Sequence, residues 1–197
     1  MPKTVLLNEV EMGVRYEVVL TNFYGGPLMR YRLHDLIEFI SYRDEEEKIE
    51  LPSMNFAGRV ADLIDLASFT GIIDEKLVWQ AIANTGIPHE EWAVRKEVLG
   101  DHSGLHLYIE LKNGVPAEDV AQRVHERLME LNPFYVDLVN FLGIRPIRAT
   151  LLRPGTFQRY TQKQVAAGVD IAHLKPRHMN APDSVIADLL DASGGIA

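Results

Sequence analysis

Apolar and polar positions alternate along residues 14–22. Val14, Tyr16, Val18 and Leu20 fall on one face, and Arg15, Glu17, Val19 and Thr21 on the other. A period of two is that of a half-buried β-strand. Gly25-Gly26-Pro27 turns the chain, and residues 28–40 are expected to return as the antiparallel partner. The charged run DEEEK at 44–48 reads as a solvated hairpin tip. Residues 49–56 contain Pro52, which has no amide hydrogen to give to a ladder, so this segment is expected at a sheet edge. Together these segments read as the last strands of a sheet or small barrel whose earlier strands precede Met1.

A second region opens at Gly58-Arg59. Residues 61–67 read as a strand or extended stretch, and Thr70-Gly71 as a turn. Asp74 can accept orphan amide hydrogens at the start of a helix, behind which Leu77, Val78, Ala81 and Ile82 form an apolar stripe. Asn84-Thr85-Gly86 ends that helix. Residues 91–99 and 105–111 read as two strands joined by a loop, 100–104, with glycine at both ends. Pro116 is expected to open the next helix, with Ala117, Val120, Val124, Leu128 and Leu131 on its buried face and Asn132-Pro133 as its stop. An extended segment at 147–152, a short helix over 158–167 ending at Gly168, a basic loop at 173–178 and a last amphipathic turn or two over 184–190 complete the order. The fold class this predicts is α+β, with helices packed on a mainly antiparallel sheet. The expected organisation is two parts: residues 1–57 as the β-hairpin end of a larger preceding domain, and 58–197 as a small α+β domain.

Composition narrows the function. With 47% apolar residues among 197, the chain can bury a core, and its formal net charge of -8 argues against a sequence-independent nucleic-acid binder. No apolar run approaches the roughly 18 residues that span a bilayer. The absence of cysteine removes disulfides, thiolate nucleophiles and cysteine-ligated metals, and a cytoplasmic setting is the expectation. There is no G-x-S-x-G elbow, no G-x-G-x-x-G and no phosphate loop of the G-x-x-x-x-G-K-[ST] type. His102 and His106 are four apart in a strand-and-loop context, which does not make a metal site, and no protein metal site is expected.

A spaced set of residues remains: Arg32 and Asp35, Gly58 and Arg59, Gly155 to Phe157, and Lys175 with Arg177. PLMRYRLHDL, residues 27–36, resembles the Y-R-x-G-D-[LV] motif that closes the large domain of adenylate-forming enzymes. FAGRVADLIDLASFTGIIDEKLVWQAI resembles the hinge and first small-domain segment of the same superfamily. LLRPGTFQRY and GVDIAHLKPRHM resemble the branch of plant auxin-responsive acyl-acid amido synthetases and their bacterial relatives, and the PLMRYR opening is also similar to phenylacetate–CoA ligases. The resemblance runs from about Val10 to Met179.

The resemblance implies a two-step ligase chemistry in which a small carboxylic acid is activated by ATP as acyl-AMP and passed to an amine or to the thiol of CoA. It implies that Asp35 holds the ribose hydroxyls, that Tyr31, Arg32 and Arg59 line the nucleotide, and that Gly58, Ala61 and Asp62 form a hinge. Lys175 is the implied catalytic residue, reaching between the carboxylate and the α-phosphate. Magnesium is expected to arrive with ATP rather than in a protein cage. The implied partner is an N-terminal adenylation domain in cis, without which the chain is expected to be inactive; no nucleic acid or membrane is expected as a partner. Three positions depart from the family pattern: His34 stands where a glycine is usual, Ala61 where a hinge aspartate often follows G-R, and Lys175 directly abuts Pro176. The alternative from another class is a non-catalytic α+β interaction or regulatory module.

Overall fold

The structure is a computed structural model and describes residues 3–43, 48–66, 72–112, 114–170, 174 and 177–194. The chain divides into two compact units between Ala61 and Asp62.

The first unit is an antiparallel sheet in the order β1 (Arg15–Asn22), β2 (Leu28–Ser41) and β3 (Ser53–Arg59). β3 begins directly after Pro52 and takes a sheet edge, where a missing amide hydrogen costs no ladder bond. The tip at 44–47 lies outside the described residues. β2 is not a regular strand. Between the pairs Glu17↔Leu36 and Val19↔Arg32, β1 advances by two residues and β2 by four, so β2 bulges at 33–35. His34, at φ 61, takes the left-handed turn of that bulge. The buried apolar side chains described in this unit are Val10, Leu36 and Phe39, with Tyr16 edge-on to Phe39 at 5.8 Å. Phe23, Tyr24, Met29 and Phe56 are exposed, so the sheet presents apolar surface that it does not itself cover.

The second unit is built on β6 (His89–Leu99), β7 (His102–Leu111) and β8 (Ile147–Leu152), with β7 in the middle. β6 and β7 are antiparallel, and their connection is the two-residue turn Gly100-Asp101, with Leu99 opposite His102. The expected five-residue loop is therefore shorter than the glycines suggest. Gly104 is a strand residue, and a Cβ there would collide with the Leu99 side chain and lie 2.9 Å from the Pro146 carbonyl oxygen. β8 runs parallel to β7, reached through α2 (Ala117–Leu131) and α3 (Pro133–Leu142). Pro116 precedes α2 rather than opening it.

α3 has no counterpart in the sequence reading. Asn132 ends α2 and at once caps α3, accepting from the Phe134 and Tyr135 amides at 2.9 and 3.2 Å. The helix α1 (Glu75–Asn84) starts as expected, with Asp74 Oδ1 accepting from the Leu77 amide at 2.9 Å. Residues 61–67 are expected as a strand or extended stretch; the described part of it is a 3-10 turn, Val60–Asp62, followed by the two-residue β4 (Ile64–Asp65), which pairs with β5 (Ile72–Ile73), and residue 67 lies outside the described residues.

β7 is buried on both faces, and its alternation assigns the layers. Leu105, Leu107, Ile109 and Leu111 join Trp92, Val94 and Ile147 against α1, α2 and α3. On the opposite face Tyr108, Ala93 and Leu152 pack against Phe157 and Tyr160 of α4 (Thr156–Ala166) and Ile186 and Leu189 of α5 (Asp183–Ala192). The architecture is α+β, with helices on both faces of a mixed sheet.

Candidate functional site

The bulge in β2 determines where the candidate nucleotide residues stand. Directly after left-handed His34, Asp35 sits opposite Arg59 in the β2–β3 register, and Arg59 Nε lies 3.6 Å from Asp35 Oδ1. Both are accessible, with 37% of the Asp35 and 69% of the Arg59 side chain exposed. An acceptor-only carboxylate beside an exposed guanidinium can take two hydroxyl donors and a neighbouring anionic oxygen. Gly58, at φ 133, lies opposite Leu36, where β3 carries its own bulge before Arg59.

Arg32 is otherwise engaged. Its Nε and Nη2 donate to the two oxygens of Glu17 at 2.8 and 2.5 Å, a bidentate pair across β1 and β2. Glu17 also lies 3.1 Å from His34 Nδ1, and the Arg32 hydrogen bond, with His34 assisting, holds its carboxyl below the usual carboxylate range. Tyr31 is half-exposed opposite Leu20. Of the four expected nucleotide residues, the strands thus bring Asp35 and Arg59 together and tie Arg32 to Glu17. The sequence shows Glu17 only as a polar-face residue of β1, because the partner depends on a register that the bulge shifts.

The expected hinge residues Ala61 and Asp62 fall in the 3-10 turn at the division between the units. Within the second unit Asp62 Oδ1 accepts from Arg177 Nε and Nη2 at 2.9 and 2.8 Å. Lys175 lies outside the described residues. The segment after it is densely bonded: His178 Nδ1 meets Glu75 Oε1 at 2.6 Å, its Nε2 meets Glu91 Oε1 at 2.8 Å, and its ring stacks on Trp92 at 4.5 Å.

Two further polar clusters occupy the α4/α5 side of the sheet. Glu97 of β6 accepts from Arg95, Arg148, His106 Nδ1 at 2.7 Å and the Tyr108 hydroxyl at 2.9 Å. Burial pushes its carboxyl up, and the four donors more than reverse that, to about 2. His106 is the converse: burial lowers its pKa, and its Nδ1 donates to Glu97 while Nε2 accepts from the Thr150 hydroxyl at 2.7 Å. Glu110 caps α4, accepting from the Gly155 amide at 2.5 Å and the Phe157 amide at 3.0 Å. G-T-F is therefore, in this fold, a helix start held by a buried carboxylate. Among the described residues no group of three or more His, Asp or Glu side chains converges on a cation site, and no helix is long and apolar enough to cross a membrane.

Along the chain, a bulged hairpin with an Asp–Arg pair is followed by a mixed sheet with helices on both faces. Residues 1–59 match the model of the GH3 family central domain and residues 74–183 that of the GH3 family C-terminal domain, and the chain belongs to the GH3 family. It is 26% identical over 205 aligned residues to a probable indole-3-acetic acid-amido synthetase GH3.1 of Arabidopsis thaliana, covering 96% of this chain and 33% of that protein. Similar in fold are the GH3.15 acyl acid amido synthetase (TM-score 0.66, 20% identity, 95% of this chain and 35% of that one) and a 2-hydroxyisobutyryl-CoA ligase in complex with 2-HIB-AMP (TM-score 0.52, 17% identity, 94% and 36%). The chain spans about a third of the length of the curated relatives it matches.

Proposed function

We propose that this chain is the C-terminal third of an ATP-dependent adenylate-forming ligase. In the proposed reaction a carboxylate oxygen attacks the α-phosphorus of ATP, giving acyl-AMP and pyrophosphate. An amine, or the thiol of CoA, then attacks the acyl carbon and AMP leaves. The Asp35–Arg59 pair carries the reading, because it offers a ribose-type diol acceptor and a cation for a nucleotide oxygen side by side on an exposed rim. Tyr31 and the Arg32–Glu17 pair would flank the nucleotide, with Arg32 acting through the rigid bidentate contact. Lys175 would stabilise charge as the carboxylate–phosphate bond forms. Magnesium would be held chiefly by the ATP phosphates. The Gly58–Ala61–Asp62 stretch would be the hinge on which the second unit turns between the half-reactions. An N-terminal adenylation domain in cis supplies the acyl pocket, and the setting is cytoplasmic.

The relatives' names support the amide-forming version, and the 2-HIB-AMP complex of the similar CoA ligase supports the acyl-AMP intermediate. The non-catalytic alternative would account for the acidic surface and for His34 in place of glycine. It loses force because His34 takes the left-handed turn that the motif's glycine would supply. The test is acyl-AMP formation, read as pyrophosphate release. The 197-residue chain alone should show none above background with ATP and a panel of carboxylic acids. Joined to its adenylation domain it should turn over, and Lys175→Ala should then lower the rate by about a hundredfold or more with ATP affinity nearly unchanged. Equal rates for parent and variant would refute the assignment.

A further inference from the structure

Glu17 of β1 meets the bulge of β2 from the neighbouring strand. It pairs with Leu36, the first residue after the bulge, while Arg32, the last residue before it, pairs with Val19. The Glu17 carboxylate reaches back over this gap. Arg32 Nε and Nη2 donate to its two oxygens at 2.8 and 2.5 Å, and His34 Nδ1 lies 3.1 Å from Oε1. One carboxylate therefore touches side chains at the start and in the middle of a loop-out that β1 itself does not share. The Arg32 hydrogen bond holds that carboxyl below the usual range, so the tie is charged at neutral pH.

His34 has particular need of such a contact. Its φ of 61 is one that glycine adopts freely and histidine at a cost. The His34 side chain is 60% exposed, so packing does little to hold it, whereas that of Glu17 is 20% exposed and fixed by the guanidinium fork. Nδ1 can donate to Oε1 as the imidazolium or as the neutral tautomer that carries its proton there. Asp35 is the next residue. The β1 register passes from Leu36 to Arg32, so the direction of Asp35 follows from the dihedrals of His34 rather than from that ladder.

We propose that Glu17 is the positioning residue for Asp35: by holding the His34 side chain it keeps the left-handed turn that sets the Asp35 carboxylate beside Arg59. This rests on the reading of the Asp35–Arg59 pair as the nucleotide rim. A diol is bound more tightly by a carboxylate already fixed in place than by one that must be ordered on binding. Arg32 is then the arm that orients Glu17, and Glu17 acts through His34 on the acceptor. Its contribution is to nucleotide affinity, so it appears in KM for ATP and not in kcat.

Two measurements test this. In the 197-residue chain, Glu17→Gln keeps the shape of the side chain and removes its charge. Amide exchange at Asp35 and Leu36 should quicken roughly tenfold, with the amides of the second unit unchanged. Adding His34→Gly should return most of that loss, because glycine holds a positive φ without a tie. No change at these amides, an equal change throughout β1, β2 and β3, or no rescue by His34→Gly would each overturn the local role. In the ligase carrying its adenylation domain, Glu17→Gln should raise KM for ATP roughly tenfold with kcat within about twofold of the parent. The added His34→Gly should bring KM back to within about threefold. A merely structural loss would lower the active fraction, and so kcat, and leave KM where it was. An Asp35→Ala variant with the parent's KM for ATP would sink the nucleotide reading. A raised KM in Asp35→Ala beside an unchanged KM in Glu17→Gln would sink the positioning role alone.

Discussion

Replacing Glu97 by glutamine tests how the second unit is held together. The carboxylate is 13% exposed and gathers Arg95, Arg148, His106 and Tyr108 from all three strands of the β6–β7–β8 sheet. Its pKa falls from the ordinary 4.5 to about 2, a difference equivalent to about 3 kcal/mol of folding free energy. That figure is an upper bound of its kind, because the Arg148 side chain is 52% exposed and water screens its share. Glutamine keeps the shape but removes the charge and turns an N–H₂ toward donors, so Arg95 and Arg148 lose their common counter-ion. Glu97→Gln should therefore destabilise the second unit by roughly 2–3 kcal/mol at pH 7.

Urea unfolding followed by tryptophan fluorescence reads this unit specifically, since Trp79 and Trp92 both lie beyond Asp62 and are the chain's two tryptophans. The pH dependence follows from the sign of the shift. A depressed carboxyl pKa contributes stability that is full above the unfolded value of 4.5 and lost as the pH falls toward 2. The gap between parent and Glu97→Gln should thus narrow steadily on acidification. A gap below about 0.5 kcal/mol at pH 7, the size of an ordinary surface substitution, would refute the reasoning. So would a gap that does not change between pH 6 and pH 3.

Two further outcomes are expected. His34→Gly should leave the first unit at least as stable, gaining up to about 1 kcal/mol, whereas His34→Val should lose about 1–2 kcal/mol because a β-branched residue resists positive φ; exchange of the β1–β2 amides measures both. Glu110→Ala should cost roughly 2–3 kcal/mol by leaving the Gly155 and Phe157 amides unpaired in a buried site, and Glu110→Gln should cost less because one acceptor remains. Tryptophan-monitored urea unfolding checks both Glu110 variants.

Elements whose signal is local were legible in the sequence. The strand at 14–22, the Gly25-Gly26-Pro27 turn, the Asp74 cap and the α2 stripe each depend on residues within a few positions of one another, although the strand face expected to be buried leaves Val14 and Leu20 exposed. The α3 helix was not, because Asn132-Pro133 is both a stop and a start: the proline that cannot continue α2 suits the first turn of α3. The two-residue turn at Gly100-Asp101 was obscured by Gly104, whose small size serves close packing against Leu99 and Pro146 rather than a turn. The parallel pairing of β8 was equally hidden, since an isolated extended segment carries no direction relative to β7.

The candidate site divides along the same line. Asp35, Gly58 and Arg59 stood out because a motif spaces them, whereas Glu17, Glu75 and Glu91 matter through partners 15, 103 and 87 residues away. Nothing in a charge's neighbourhood names so distant a partner; only the folded register does. His34 shows the limit of reading a motif letter by letter. What the bulge requires is a positive φ, which glycine supplies without strain and histidine supplies at a cost, here beside Glu17 at 3.1 Å. His34 itself holds the positive φ, and directly after it Asp35 meets Arg59 across the strands. A departure from the motif is therefore evidence against the site only where it also changes the conformation the motif encodes.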